Sequence, residues 1–437
     1  MKPELLTPIG DWETLAAAIK AKADAVYFGI KTINMRTFSA RNFDKTDLKK
    51  LMEMIHKNNM KGYLALNTII YDHELEKVEE IIDEAKASKV DAIIASDFAV
   101  IKMCNKKNIE VHISTQQSVS NYETIKFFSE FSPRIVLARE CTLEQIKEMI
   151  RKIKQDKLNY KGKPLQIEVF IHGSLCVSVS GRCFMSQYQE RLSANRGQCQ
   201  QLCRRKYRIT DIENPEKEFV LDENYVLSPK DLCALPILDK LVEAGIEVFK
   251  IEGRAKGPEY VYTVTKTYKQ ALELIETNKF TKNKILELTK ELEKVYNRGF
   301  STNFLLGTPT NDSWNKFYGS IAKEKKVRLG KITNYFAKIK VVSILLDEQL
   351  KENDEICFTG NKTGYYKLKV KEIRFENKPV KSAKKGQEIS IKLDEQIRKS
   401  DEVYLIQERN INQEEKRIEQ ELKKFRAHKP FKSIKNV

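Results

Sequence analysis

ELLTPIGDWETLAAAIKAKADAVYFG, residues 4–29, contains one unit of the pattern that decides the fold. The apolar run ELLTP is followed by DWETLAAAIKAKA, with Asp11 placed to cap a helix and Glu13 in its first turn, and then by a second apolar run, AVYFG at 25. The alternation continues with GYLALN at 62, DAIIAS at 91, EVHIS at 110, RIVLA at 134, QIEVFIHG at 166 and VFKIEG at 248. Eight such runs separated by amphipathic stretches predict an α/β chain whose parallel sheet closes as a (β/α)8 TIM-type barrel over residues 1–260. A doubly wound open sheet is the alternative, but it does not need eight near-equivalent units.

Barrels of this kind place their chemistry at the C-terminal ends of the strands. Gly29, Asn67, Asp97, Ser114, Gln116, Arg139, Glu140, His172, Glu252 and Arg254 fall there, while the strand bodies are apolar. Each alone reads as a helix cap or a salt bridge, and it is their joint position that marks one polar mouth. After the barrel, KTYKQALELIETNKF and NKILELTKELEKVYNRGF predict a helical extension over 261–325. From 326 to 408 the period changes to two, in VRLGKITNYFAKIKVVSI, DEICFTG, YKLKVKEIRF, EISIKL and EVYLIQ, which predicts a small antiparallel β-barrel.

The composition is that of an ordinary globular protein. Its 437 residues start without a secretory signal, and no apolar run is long enough for a membrane span, so no membrane partner and a cytoplasmic location are expected. In that compartment clustered cysteines favour metal binding or catalysis over disulfides. The excess of 78 Lys plus Arg over 61 Asp plus Glu gives +17, which suits an anionic partner such as RNA and equally a lysine-rich enzyme with no such partner. A basic tail, helical or flexible, follows from 409. Its end, from Leu422, carries Lys423, Lys424, Arg426, Lys429, Lys432 and Lys435 around Phe425 and Phe431, with no acidic residue.

Between the seventh and eighth runs the spacing opens to about 75 residues, and this insertion, 173–235, holds Cys176, Cys183, Cys199, Cys203 and Cys233, five of the eight cysteines. Their order, Cys-x6-Cys-x15-Cys-x3-Cys-x29-Cys, lacks the Cys-x2-Cys knuckle that structural zinc prefers. An iron–sulfur cluster accepts such spacings because its ligands come from separate loops, with Gly173, Gly181 and Gly197 allowing close backbone approach. A redox or nucleophilic cysteine and buried structural cysteines stay open as readings. His172, four residues before Cys176, is the only nearby base for a nucleophile and is badly placed for a direct hydrogen bond. Cys104, Cys141 and Cys357 stand apart and read as core.

Glu168-x-Phe170-x-x-Gly173-Ser174-Leu175-Cys176-x4-Gly181-x-Cys183-x-Met185-Ser186 resembles the signature of peptidase family U32, the collagenase-like proteins. RLSANRGQCQQLCRRKY, LSPKDLC, FKIEGRAKGPEYV, STQQSVSN and LARE continue the resemblance over most of residues 4–305, and the β-barrel is similar to that family's C-terminal domain. Asn303 in STNFLLG stands where the pattern has Gly; Asn tolerates a left-handed backbone. The family name implies proteolysis, yet its better understood members resemble oxygen-independent hydroxylases with a [4Fe-4S] cluster on four cysteines. Some hydroxylate the wobble uridine of tRNA with prephenate as hydroxyl donor, some a ribosomal RNA base, and some the ubiquinone ring.

The basic balance fits RNA, most simply tRNA, better than a quinone. A collagenase-like peptidase and a non-catalytic RNA-binding or assembly factor are the alternatives. On this resemblance Cys176, Cys183 and Cys199 hold the cluster, and Cys203 and Cys233 compete for the fourth place. Arg139, Lys250 and Arg254, with Gln116, would bind substrate or a dicarboxylate such as prephenate, and Glu168, His172, Glu140 and Glu252 are the proton-handling candidates. Assembly as a homo-oligomer, or as a hetero-oligomer with a related family member, is also compatible with it.

Overall fold

The computed structural model describes residues 2–420 other than 206–208, 211–212, 215–217, 220–226, 318, 415 and 418–419. Eight strands form the barrel: β1 (Glu4–Pro8), β2 (Ala25–Phe28), β3 (Lys61–Leu66), β4 (Ala92–Ala95), β5 (Val111–Ile113), β6 (Arg134–Val136), β7 (Gln166–Gly173) and β8 (Val248–Ile251). Each pairs in parallel with the next, and β8 pairs with both β7 and β1, which closes the ring. All eight are the apolar runs of the sequence, as expected for strands covered on both faces. Helix α1 (Trp12–Lys20) begins with the expected cap: Asp11 Oδ1 accepts from the Thr14 amide at 2.8 Å, and the Asp11 amide donates to Thr14 Oγ1 at 3.0 Å.

The inside of the barrel is partly apolar and partly ionic. Leu6, Ala25, Tyr27, Tyr63, Ala92, Ile94 and Val248 form an apolar cluster. Beside it runs a chain of buried ion pairs: Glu4 Oε1 to Arg134 Nη1 at 2.7 Å, Arg134 Nη1 to Glu168 Oε2 at 3.7 Å, and Glu168 Oε1 to Lys250 Nζ at 2.7 Å. Lys250 also lies 4.5 Å from the ring centre of Tyr27 and 5.4 Å from that of Phe170. Two of the candidate site residues, Glu168 and Lys250, are therefore spent on each other within the barrel wall.

Between β7 and β8 the insertion adds Asp231–Cys233, antiparallel to the end of β7, and Phe300–Ser301 joins it in parallel. The segment after the helices Pro258–Glu276 and Lys282–Lys294 thus returns to the barrel, where Asn303 takes the left-handed backbone its identity allows, with φ +47°. Beyond it an eight-stranded antiparallel sheet, running from Glu324–Phe336 to Glu402–Glu408, surrounds its own core of Leu329, Val342, Ile344, Ile356, Phe358 and Val403. Of the tail, residues 411–414 are helical, and the basic stretch from 422 lies outside the described residues. No helix among the described residues is long and apolar enough to cross a membrane.

The C-terminal sheet is docked firmly on the side of the barrel. Lys20 Nζ donates to the Tyr365 carbonyl at 3.0 Å, Lys326 pairs with Glu259 at 2.8 Å, and Gly364, at φ +65°, abuts α1 so closely that a Cβ would stand 2.5 Å from the Ala17 amide nitrogen. Gly364→Ala is expected to destabilise the protein by about 2–4 kcal/mol through overpacking and an unfavourable backbone. Denaturant unfolding checks this; a change under about 0.5 kcal/mol would mean that the junction is loose.

Candidate functional site

The mouth of the barrel is covered by the insertion, and beneath it lies a cavity of about 150 Å³. Cys176, Cys183, Cys199 and Cys203 all border it. They arrive on tight turns: Ser180, Gly181, Gly197 and Gln201 have positive φ, and Leu202–Arg204 is a single turn of 3₁₀ helix. The Met185 and Gln201 amides each donate to a sulfur at 3.4 Å, of Cys183 and Cys199 respectively. Burial raises the Cys203 thiol; Arg204 opposes this, while negative charge on Cys176, Cys199 and Cys183 raises it further. Four soft sulfur donors bordering one cavity are a set suited to a thiophilic metal centre.

All eight cysteines are free, and Cys233 does not share the cavity. It sits on the insertion's strand Asp231–Cys233, buried, 3.7 Å from the Tyr268 hydroxyl, and burial pushes its thiol up to about 11. Of the two, only Cys203 borders the cavity with Cys176, Cys183 and Cys199. Gly173 and Gly197 serve chain packing rather than approach to a bound group, since a Cβ would come within 2.4 Å of the Glu252 carbonyl oxygen and 2.1 Å of the Asn34 carbonyl oxygen. Among the described residues no three His, Cys, Asp or Glu side chains come close enough to hold a single metal ion. A four-iron cluster is itself several ångströms across, so its cysteines stand further apart than the ligands of one ion.

The remaining walls are charged. Glu252 accepts from Arg36 Nη2 at 2.9 Å and faces Arg139 Nη2 at 3.6 Å. Burial alone would raise its carboxyl, but Arg36, Arg139 and Arg254 together hold it down at about 2. Arg139 also donates to the Ser174 carbonyl at 2.6 Å and lies over Phe170. Arg298 reaches Ser174 Oγ and Gln201 Oε1, each at 3.0 Å, and Arg204 is held by the Pro229 carbonyl and Ser228. Lys256 stands 3.0 Å from the Tyr296 ring centre, and burial lowers it to about 7. Glu140 borders the same space, with Oε2 buried and lacking a hydrogen-bond partner among the described residues. Gln116 also lines the cavity.

Of the groups expected to bind an anionic substrate, Arg139 is on the wall. Lys250 is inside the barrel, and Arg254 points inward to Asn34 Oδ1 at 3.0 Å. Arg36, Arg204, Lys256 and Arg298 border the cavity as well; Arg204 and Lys256 lie in the quoted stretches RLSANRGQCQQLCRRKY and FKIEGRAKGPEYV, whereas no motif marks Arg36 or Arg298.

Residues 10–315 match the sequence model of peptidase family U32. The chain belongs to peptidase family U32. Among curated U32 relatives it is 42% identical over 389 residues to a collagenase of Porphyromonas gingivalis, covering 89% of this chain and 94% of that one. It is 33% identical over 368 residues to tRNA hydroxylation protein P1 of Bacillus subtilis, covering 82% and 84%. It is 37% identical over 276 residues to the 23S rRNA 5-hydroxycytidine synthase of Escherichia coli, covering 62% of this chain and 39% of the other.

In this U32 chain His172 is no partner for Cys176. Its ring is buried against Tyr260, Tyr268 and Phe300, with Nδ1 3.3 Å from the Tyr268 hydroxyl, and no histidine borders the cavity among the described residues. Burial lowers the imidazole to about 3. The unfolded chain, with an imidazole near 6.5, therefore takes up the proton first as pH falls. Stability that is complete above about pH 6.5 is expected to drop by about 1.4 kcal/mol per pH unit below it. His172→Gln should remove that part of the acid sensitivity, as read from denaturant titrations between about pH 7 and about pH 4. An unchanged acid limb would show that the ring is not buried neutral.

Proposed function

We propose that this U32 protein is an oxygen-independent RNA hydroxylase that acts on the wobble uridine of tRNA with prephenate as hydroxyl donor, in the cytoplasm. The observation that carries the reading is the convergence of Cys176, Cys183, Cys199 and Cys203 on one cavity that no described histidine borders. These cysteines would hold a [4Fe-4S] cluster, which when bound supplies a redox-capable iron centre at the mouth. The donor set fits it: soft thiols, amide donors to two sulfurs, and Arg204 and Arg298 to balance negative charge.

The chain's own residues would do the rest. Arg36, Arg139, Lys256 and Arg298 bind and orient a dicarboxylate by charge-assisted hydrogen bonds. Glu252, kept ionised by its arginines, fixes Arg36 and Arg139 and carries no proton near neutral pH. Glu140 Oε2, buried with no hydrogen-bond partner among the described residues, is the atom at which a proton would be held. The cysteines lie in a cavity of about 150 Å³ rather than on an open surface, so a base would reach them unpaired and turned out of its stack, which suits an anticodon loop.

The relatives named for tRNA and rRNA hydroxylation support the substrate class. Those named as collagenases support a peptidase instead, but among the described residues no histidine borders the cysteines to serve as their base. Mass spectrometry of tRNA and rRNA nucleosides from a strain lacking the gene tests the proposal. A hydroxylated uridine should vanish from tRNA and return with the wild-type gene. An unchanged nucleoside profile would refute it.

A further inference from the structure

Beside the cysteine cavity, and sharing Met35, Gln116, Ser180 and Gly181 with it, lies a second cavity of about 180 Å³. The two differ in chemistry. The first is walled by arginines, a lysine and glutamates, whereas the second is lined mainly by neutral groups, among them Asn67, Ser96, Gln117 and Asn195. Its one carboxylate, Asp97, is already engaged: Oδ1 accepts from the Ala99 amide at 2.9 Å and Oδ2 from the Ile70 amide at 3.2 Å. That carboxylate ties two loops together and fixes the rim, where Ile69 and Phe98 stand 50% and 55% exposed. Phe98 is braced from behind by Phe128, stacked at 5.9 Å, so its outer face is presented rigidly. Arg182, also exposed, is held at the opening by a 2.8 Å bond to the Gln116 carbonyl.

A neutral amide-lined pocket with a rigid aromatic and an arginine at its opening suits a flat, uncharged, hydrogen-bonding ring attached to a phosphate. Asn195 also connects the pocket to the cysteines, since its Oδ1 accepts from the Cys183 amide at 3.3 Å. The choice of basic residue agrees. Arginines are 19 of the chain's 78 basic residues, yet all five basic residues between 176 and 205 are arginine. Arginine, unlike lysine, stacks on bases and grips phosphate in bidentate fashion.

We propose that this second cavity holds the unpaired nucleobase next to the one presented to the cysteines, stacked on Phe98, with its phosphate on Arg182. It thereby helps to select the RNA. The proposal rests on the RNA reading above and adds a site to it.

The test is binding of fluorescein-labelled octauridylate, and of the same ribose-phosphate backbone without bases, to the full-length protein by anisotropy. Phe98→Ala should weaken octauridylate binding by about 5- to 100-fold, towards the value for the baseless strand, and Phe98→Trp should restore it. Arg182→Ala should weaken both strands and lower the salt slope by about 0.7. Both side chains are exposed, so unchanged melting temperatures guard against misfolding. If octauridylate binds the wild type, Phe98→Ala and Arg182→Ala alike, the pocket is not a nucleotide site, although RNA binding stands. If the wild type binds neither octauridylate nor a tRNA transcript but binds gelatin, both this proposal and the RNA reading fall.

Discussion

Cys203→Ala is expected to reduce iron and acid-labile sulfide to background after anaerobic reconstitution, whereas Cys233→Ala should keep both. The two cysteines are equivalent by spacing alone but not by position. Cys203 borders the cavity with Cys176, Cys183 and Cys199, and its thiol feels the charge of all three. Cys233 is buried on a strand beside Tyr268, with its thiol held protonated by burial. A ligand thiol must reach the cluster, and Cys233 lies outside the cavity that Cys203 borders. Cys176→Ala, Cys183→Ala and Cys199→Ala should behave as Cys203→Ala does. The readout is metal and sulfide content together with visible absorption, and it does not depend on turnover. Full retention by Cys203→Ala with loss in Cys233→Ala would reverse the assignment.

Glu168→Gln is expected to cost about 3–5 kcal/mol of stability, because it removes one partner of a buried ion pair. Glu168 is fully buried and 2.7 Å from Lys250 Nζ. Arg134 would keep Glu4 and Gln166, but Lys250 would be left as an unpaired cation between Tyr27 and Phe170. Burial already lowers the lysine's pKa, so the loss should shrink at alkaline pH, where the amine sheds its proton. The double variant Glu168→Gln with Lys250→Met should recover much of the stability, since a buried pair replaced by packed neutral groups is often near neutral. Guanidinium unfolding measures each case. If Glu168→Gln is as stable as wild type but abolishes turnover, Glu168 is a proton-handling group after all.

These two cases also show what could be read from the sequence. The eight strands were legible because parallel strands covered on both faces must be continuous apolar runs, and the period-two stretches showed that an antiparallel sheet follows in the C-terminal region. Glu168 and Lys250 interrupt such runs, and a polar residue on a barrel strand reads the same whether it faces a substrate or another strand's charge. His172 follows the same logic: its place at a strand end suggested the mouth, but the register shift where β7 meets β8 accompanies a ring turned towards the helix layer. Arg36 and Arg298 were not legible because they meet only in space, the latter arriving on a return segment that sequence alone assigns to a helical extension; Lys256 stands in the quoted FKIEGRAKGPEYV, two residues after Arg254, but only the fold brings it to the cavity. The insertion was visible as a cluster of cysteines, but which four converge depends on the turn at Leu202–Arg204, set by φ values that spacing does not encode.

The most direct test of RNA hydroxylation is anaerobic incubation of the reconstituted protein with an unmodified tRNA transcript and prephenate, followed by nucleoside mass spectrometry. 5-Hydroxyuridine should appear with the wild type and with Cys233→Ala, and should be absent with Cys203→Ala. An unchanged transcript, from a preparation that cleaves gelatin equally well with and without Cys203, would contradict it.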